Sequence, residues 1–315
     1  MKLCVRGRRF GWTEAPLLNS LLFLIWLWLC PPTSGQDVLF ETTSPYHHIQ
    51  VIERAGMRTL SFDGTSETRM SLADPLQGHF QYTEFFHLPW LWHTQMTSVL
   101  MVGLGGASTQ RSYAYYYPEV SVETVELDSR VLFVATEYFG FEKSPKQQVH
   151  ISDGRVFLRR TQAQYDAILM DAYTENRYGS SLPQHLATKE FFELTAAHLT
   201  PDGVLAYNVI GTLGGWRSEL VGAMSRTLRA VFGQVYYFPA SDSMNIVFIA
   251  TKNRARADLR QLQARATGFL AKRPRVLPTF RTRLSAFRAD SPPGAARAPL
   301  LTDDFAPVEG LLRKE

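Results

Sequence analysis

From Thr97 onward the chain alternates short apolar runs with stretches of helical spacing. The runs are "SVLMVG", "VSVETVELD", "QVHISDG", "YDAILMDAY" and "GVLAYNVIG". Between them lie a segment reaching Tyr117, then "SRVLFVATEYFG", "RVFLRRT", "TKEFFELTAAHLT" and, last, "WRSELVGAMSRTLRAVF". Strands alternating with crossover helices predict an α/β fold built on a Rossmann-like, doubly wound, mostly parallel sheet. "QVYYFP" and "MNIVFIAT" end the series with only a tight turn between them, which predicts an antiparallel edge. Upstream, "HHIQVIE" and "MRTLSFDG" alternate in polarity around "RAG" and predict a small N-terminal β-hairpin domain. "LADPLQGHFQYTEFFHLPWLWH" links the two parts through helix-like stretches broken by Pro75, Gly78 and Pro89.

Composition changes this picture at the two ends. Lys2, Arg6, Arg8 and Arg9 precede the apolar run Leu17 to Cys30 and the exit "PPTSGQ". That order reads as a secretory signal or a signal anchor over 1–36, so export or membrane attachment through the N-terminus is expected. A cytoplasmic location follows only if the true start lies later. The remaining segments are 37–92 (hairpin and connection), 93–252 (nucleoside-binding domain) and 253–315 (basic helix, linker and C-terminal motif). The net charge of +4 is concentrated late: Lys252 to Arg297 carry twelve Lys/Arg against Asp258 and Asp290. A solvated helix and loop account for that run, and no nucleic-acid partner is expected. The two cysteines, Cys4 and Cys30, both precede Asp37, so neither a disulfide framework nor a cysteine nucleophile is implied. The histidines show no metal spacing, so no metal is expected.

In an open α/β sheet, ligands sit at the carboxyl ends of the strands. The first strand here ends in Gly103, Leu104, Gly105 and Gly106. The second ends in Glu126 and Asp128, the third in Asp153-Gly154, the fourth in Asp171. "GLGGAS" only approximates the dinucleotide loop G-x-G-x-x-G. Glu126 is placed to accept ribose hydroxyls, and Asp153-Gly154 to receive an adenine amino group. A ring of acids repels a pyrophosphate and favours a sulfonium nucleoside, which argues for an S-adenosylmethionine-type ligand over NAD.

These residues, in this order, resemble the spermidine synthase family. The opening "SPYHHIQVIE", the "LSFDG" strand and "YTEFFHLP" match its pattern, as do "VLMVGLGGAS", "VETVELD", "ISDGRVFL" and "YDAILMDAY". "LTDDFAPVE" is similar to a terminal motif of a divergent branch. The resemblance implies a fold close to the class I methyltransferases, a homodimer joined through the N-terminal β domain, and aminopropyl transfer to a polyamine. It also implies that decarboxylated S-adenosylmethionine serves as co-substrate, with nothing tightly bound. Gly103 and Gly105 would line the nucleoside, Glu126 the ribose and Asp153 the adenine. Tyr82, and His47 where the family usually has Gln, would sit near the transferred group and the amine.

Two departures bear on the chemistry. The family's glycine loop carries an Asp that anchors the aminopropyl ammonium, and Gly106 stands there. Its fourth-strand signature D-S-x-D ends in the acid that takes the proton from the amine, and "DAYT" places Thr174 there. An ammonium has no lone pair, so a base is required. Asp171 is the best surviving candidate, with Glu175 one residue beyond Thr174 as a helper. Without the loop acid, methyl transfer from S-adenosylmethionine fits the same crevice. A non-catalytic nucleoside-binding module is the third reading, favoured by Thr174 and the export signal. The acceptor is a small amine under the first reading.

Overall fold

The computed structural model describes residues 37–176, 179–215 and 217–312, without the side chains of 175 and 176. The 1–36 segment read above as a signal lies outside the described residues, and so does the side chain of Glu175. Four antiparallel strands come first: β1 (Asp37–Thr43), β2 (His48–Arg54), β3 (Met57–Phe62) and β4 (Thr65–Ser71), paired in chain order. The expected hairpin is therefore the middle of a four-stranded sheet. A short helix α1 (Tyr82–Phe85) and a 3-10 turn (Leu88–Leu91) lead into the larger sheet.

That sheet takes β5 (Ser98–Val102), β6 (Ser121–Glu126), β7 (Gln147–Ile151), β8 (Tyr165–Met170), β11 (Leu199–Ile210), β12 (Gln234–Pro239) and β13 (Asn245–Thr251). Their order across it is β12-β13-β11-β8-β5-β6-β7. Five strands from β7 to β11 run parallel, and β13 pairs antiparallel with both β11 and β12. The terminal pair is thus not a simple edge: β13 is inserted, and β12 forms the edge. The crossover helices are α2 (Ser108–Tyr116), α3 (Ser129–Phe139), α4 (Gly154–Arg160), α5 (Lys189–Ala197) and α6 (Ser218–Arg229). A two-stranded ribbon, β9 (Thr174–Asn176) and β10 (Gly179–Ser181), follows β8.

Alternation within the strands builds a core on each face. Leu100 and Val102 join Ile168, Met170, Phe191 and Leu220 on one side. Val99 and Met101 join Ala167, Leu169, Trp90 and Tyr113 on the other. All six residues of β8 are buried, as a central strand covered on both faces requires. The four-stranded sheet lays Ile49, Val51, Leu60 and Met70 against Leu104, Val134 and Phe139, which sets β4 beside the glycine loop.

The late basic segment does more than solvate. It forms α7 (Leu259–Lys272), opened by a capping box between Asp258 and Gln261, and then α8 (Phe280–Leu284). Leu262, Phe269 and Phe280 pack into the second core, and the Arg273 guanidinium lies 4.0 Å over the Trp90 ring. From Asp37 onward the chain clusters as one compact unit.

Candidate active site

A cavity of about 520 Å³ opens at the carboxyl ends of β5, β6, β7 and β8, with β4 and α1 as its opposite wall. Tyr82, Gly103, Gly105, Glu126, Asp153, Gly154, Asp171 and His47 all line it. Asp128 does not. Its Oδ1 accepts the Arg130 N–H at 2.8 Å as the N-cap of α3. An acid just past a strand is also where a helix begins, and Asp128 serves there as a cap.

The glycine loop is shaped by close approach. Gly103 has φ +101°, and a Cβ there would lie 2.2 Å from the Asp171 carbonyl oxygen. Only glycine lets the ends of β5 and β8 come together, and the Asp171 N–H then donates to the Val102 carbonyl at 2.8 Å. The loop leaves the Leu104 N–H directed at Glu126 Oε2, 2.9 Å away, while the Asp128 N–H donates to Oε1 at 2.8 Å. Each carboxylate oxygen keeps a further lone pair for a ribose hydroxyl. Burial pushes the Glu126 pKa up to about 7, against the opposing pull of those backbone donors.

Asp153 caps α4 by accepting the Val156 N–H at 2.9 Å, and its second oxygen meets His185 Nε2 at 2.7 Å. The His185 hydrogen bond is the main reason its pKa is lowered. His185 sits in the 3-10 turn Gln184–Leu186, and nothing in the sequence marks it as a partner of Asp153.

Asp171 stands at the far end. Tyr82 Oη donates to its Oδ2 at 3.2 Å, and Asn208 Nδ2 donates to its Oδ1 at 2.9 Å. Asn245 Nδ2 supports the arrangement by donating to Asn208 Oδ1 at 3.2 Å. Burial raises the Asp171 pKa to about 6, with the Asn208 and Tyr82 hydrogen bonds pulling the other way. The carboxyl is thus oriented by two donors and titrates near neutrality, as a general base should. Asn208 was detectable as the one amide inside the apolar run "GVLAYNVIG".

Tyr173 and Thr174 also line the cavity, as do Glu67, Thr68, Phe80 and Phe86. His47 stacks on Phe62 with ring centres 4.4 Å apart and its Nδ1 3.5 Å from Asp63. His87 belongs to the core instead. It is buried between Tyr117 Oη and Ser112 Oγ at 2.9 and 3.0 Å, and burial pushes its pKa down to about 3. Glu84 ties His79, Thr279 and Arg283 together, joining α1 to α8. The C-terminal "LTDD" motif folds back, but onto α4. Arg155 grips Asp303 through both oxygens at 2.7 and 2.5 Å, and Thr188 adds a bond of 2.7 Å.

The profile of the spermine/spermidine synthase domain matches residues 79–255. A polyamine aminopropyltransferase of Vibrio vulnificus is 31% identical over 300 residues, covering 91% of this chain and 96% of that protein. The chain belongs to the spermine/spermidine synthase family. Within a solved fold, a probable spermidine synthase from Corynebacterium glutamicum superposes with a TM-score of 0.63 at 18% identity, covering 85% of this chain and 94% of that one. The family's fold is also shared more widely. An eEF1A lysine and N-terminal methyltransferase of Bos taurus is 34% identical over 147 residues, 44% of this chain and 20% of its own length. Thr174, which the resemblance sets where the family's fourth-strand signature has its second acid, lines the cavity wall.

Proposed function

We propose that this member of the family transfers the aminopropyl arm of decarboxylated S-adenosylmethionine to a small amine. The observation that carries the reading is Asp171, half-buried in the cavity wall, oriented by Tyr82 and Asn208 and titrating near 6. The neutral acceptor nitrogen attacks the methylene carbon bonded to sulfur. The C–S bond breaks, its electron pair stays on sulfur, and methylthioadenosine leaves as a neutral thioether. The nitrogen's surplus proton passes to the Asp171 carboxylate. Glu126 fixes the ribose and Asp153 the base, so much of the rate enhancement comes from holding the reacting atoms in line. Thr174 cannot replace the missing acid at neutral pH, so Asp171 takes the proton in this reading, with Glu175 one residue beyond Thr174 as its helper.

Incubation with decarboxylated S-adenosylmethionine and 1,4-diaminobutane should release methylthioadenosine and aminopropylated amine in equal amounts. Asp171→Asn should slow this by about 10² to 10⁴, the usual contribution of a general base, while nucleoside binding persists. Tight donor binding with no methylthioadenosine from any amine would overturn the reading.

Methyl transfer is the second reading, favoured by Gly106, which carries no acid, and by the methyltransferase likeness. Its donor arm bears a carboxylate, which the acids Asp171 and Glu67 in the cavity lining would repel. Turnover of S-adenosylmethionine to S-adenosylhomocysteine, measured alongside, separates the two.

A further inference from the structure

Asp171 owes its orientation in part to Asn208, and Asn208 owes its own to a residue further out. β13 lies between β11 and β12 and pairs antiparallel with β11, setting Asn208 opposite Val247 and Ile210 opposite Asn245. Asn245 is two residues from Val247, so it stands on the same face as Asn208, one diagonal step away. Two carboxamides can span that step, and Asn245 Nδ2 donates to Asn208 Oδ1 at 3.2 Å. The other end of the Asn208 amide, Nδ2, then faces Asp171 Oδ1 at 2.9 Å. Val235 to Pro239 of β12 contain no carboxamide, so it is the insertion of β13 beside β11 that supplies this neighbour.

A carboxamide donates at one end and accepts at the other. Turned by 180°, Asn208 would point its oxygen at Asp171. That orientation suits a protonated carboxyl, which has an O–H to give, and opposes a carboxylate, which only accepts. The two orientations of Asn208 therefore go with the two protonation states of Asp171. Asn208 is 1% exposed, so its oxygen has no bulk water to turn to. Among the described residues, Asn245 is the side chain that donates to it.

Other groups also face Asp171. Tyr82 from α1 and Tyr173 from the same wall carry hydroxyls that burial holds neutral, their pKa values raised well above the ordinary one. Glu67 comes from β4, turned into the cavity at a one-residue bulge against β3, and accepts from Ser180 Oγ at 3.2 Å. Asp242, in the turn before β13, and Tyr207 of β11 act on those tyrosines, and Arg69 lies 3.9 Å from Asp242. None of these side chains is hydrogen-bonded to that of Asn245, so a change there reaches Asp171 through Asn208.

We infer that Asn245 is a positioning residue for the general base: it locks the Asn208 carboxamide in the orientation that donates, and so keeps Asp171 in the form that takes a proton. The inference rests on the proposed function for the role of that base, whereas the lock belongs to the resting protein. Neither asparagine lines the cavity, so both act through Asp171.

The test is a carbon-13 NMR titration of the aspartate carboxyls in the full chain, with the Asp171 signal assigned by its loss in Asp171→Asn. Asn245→Leu keeps the volume and removes the donor. Asn208 is then free to turn and accept from the protonated carboxyl, so the Asp171 midpoint should rise from about 6 by about one unit. The low-pH limb of kcat/KM should move up with it, which lowers the rate on that limb about tenfold. Asn245→Ala also removes the donor and serves the same comparison if the leucine variant does not fold. An unmoved midpoint overturns the inference. Lower thermal stability with the midpoint unmoved makes Asn245 a structural residue and overturns it too. Absence of turnover in the unsubstituted chain removes the proposed function instead, and the NMR midpoint still decides whether the lock exists.

Discussion

At Glu126 and Asp171 the same physical cause, removal from water, serves two purposes. Glu126 titrates at about 7, whereas under the proposed function the ribose hydroxyls would donate to its ionised form. The ligand thus binds the deprotonated protein better, and binding expels a proton. Affinity for methylthioadenosine should fall as pH drops below about 7, approaching tenfold per unit. Calorimetry in buffers of different ionisation enthalpy at pH 6.5 should register proton release. For Asp171, the base form exists above about 6, so kcat/KM should rise through that pH and level off above it. Asp171→Asn should erase that limb from whatever rate remains. The sign for stability is opposite. Folding raises the Asp171 pKa, so the native state holds the proton more firmly than the unfolded chain. Its contribution to stability is present below the ordinary aspartate value and is lost as pH rises to about 6. Thermal unfolding of Asp171→Asn should depend less on pH across that window.

Among elements, the glycine loop and the β4 bulge decide the shape of the cavity. Gly103 closes the gap between β5 and β8, and its φ of +101° already strains any other residue. Gly103→Ala should lose about 2–4 kcal/mol in urea unfolding, because its Cβ meets backbone that cannot rotate aside. Gly106→Ala meets the Thr68 side chain, so its cost should be smaller and should shrink in a Thr68→Ser background, which removes the obstructing methyl. The central strands were legible from apolar runs because β5 and β8 are covered on both faces. The bulge was not legible. "TSETRMS" contains no glycine or proline to mark it, and the extra residue shows only when β3 supplies the register.

On the scale of the whole molecule, distant segments converge on one cavity. The C-terminal Asp303 holds Arg155 at the start of α4, and Arg155 donates to the His185 carbonyl at 3.1 Å. The tail thereby braces the two elements that carry Asp153 and His185. Because Asp303 is well exposed, Asp303→Ala should cost only about 1 kcal/mol, with methylthioadenosine affinity falling by a small factor. Limited proteolysis should cut the tail of that variant sooner. Asp37–Glu315 resist division into independent units, since the four-stranded sheet shares a core with α3 and the glycine loop.

The sequence by itself determined the parallel α/β sheet, the glycine loop and the acids Glu126, Asp153 and Asp171 that close three of its strands. Each is a local consequence: apolar runs make buried strands, and the residue after such a run must lie at the sheet's ligand-binding end. Tertiary structure decided what those acids touch. It turned Asp128 into a helix cap, set Asn208 and Tyr82 on Asp171, drew His185 to Asp153 and sent Asp303 to Arg155. It also placed β13 inside the sheet and turned Glu67 into the cavity. Contacts of that kind join residues far apart in the chain, and hydrogen-bond geometry and strand register exist only after the elements have packed.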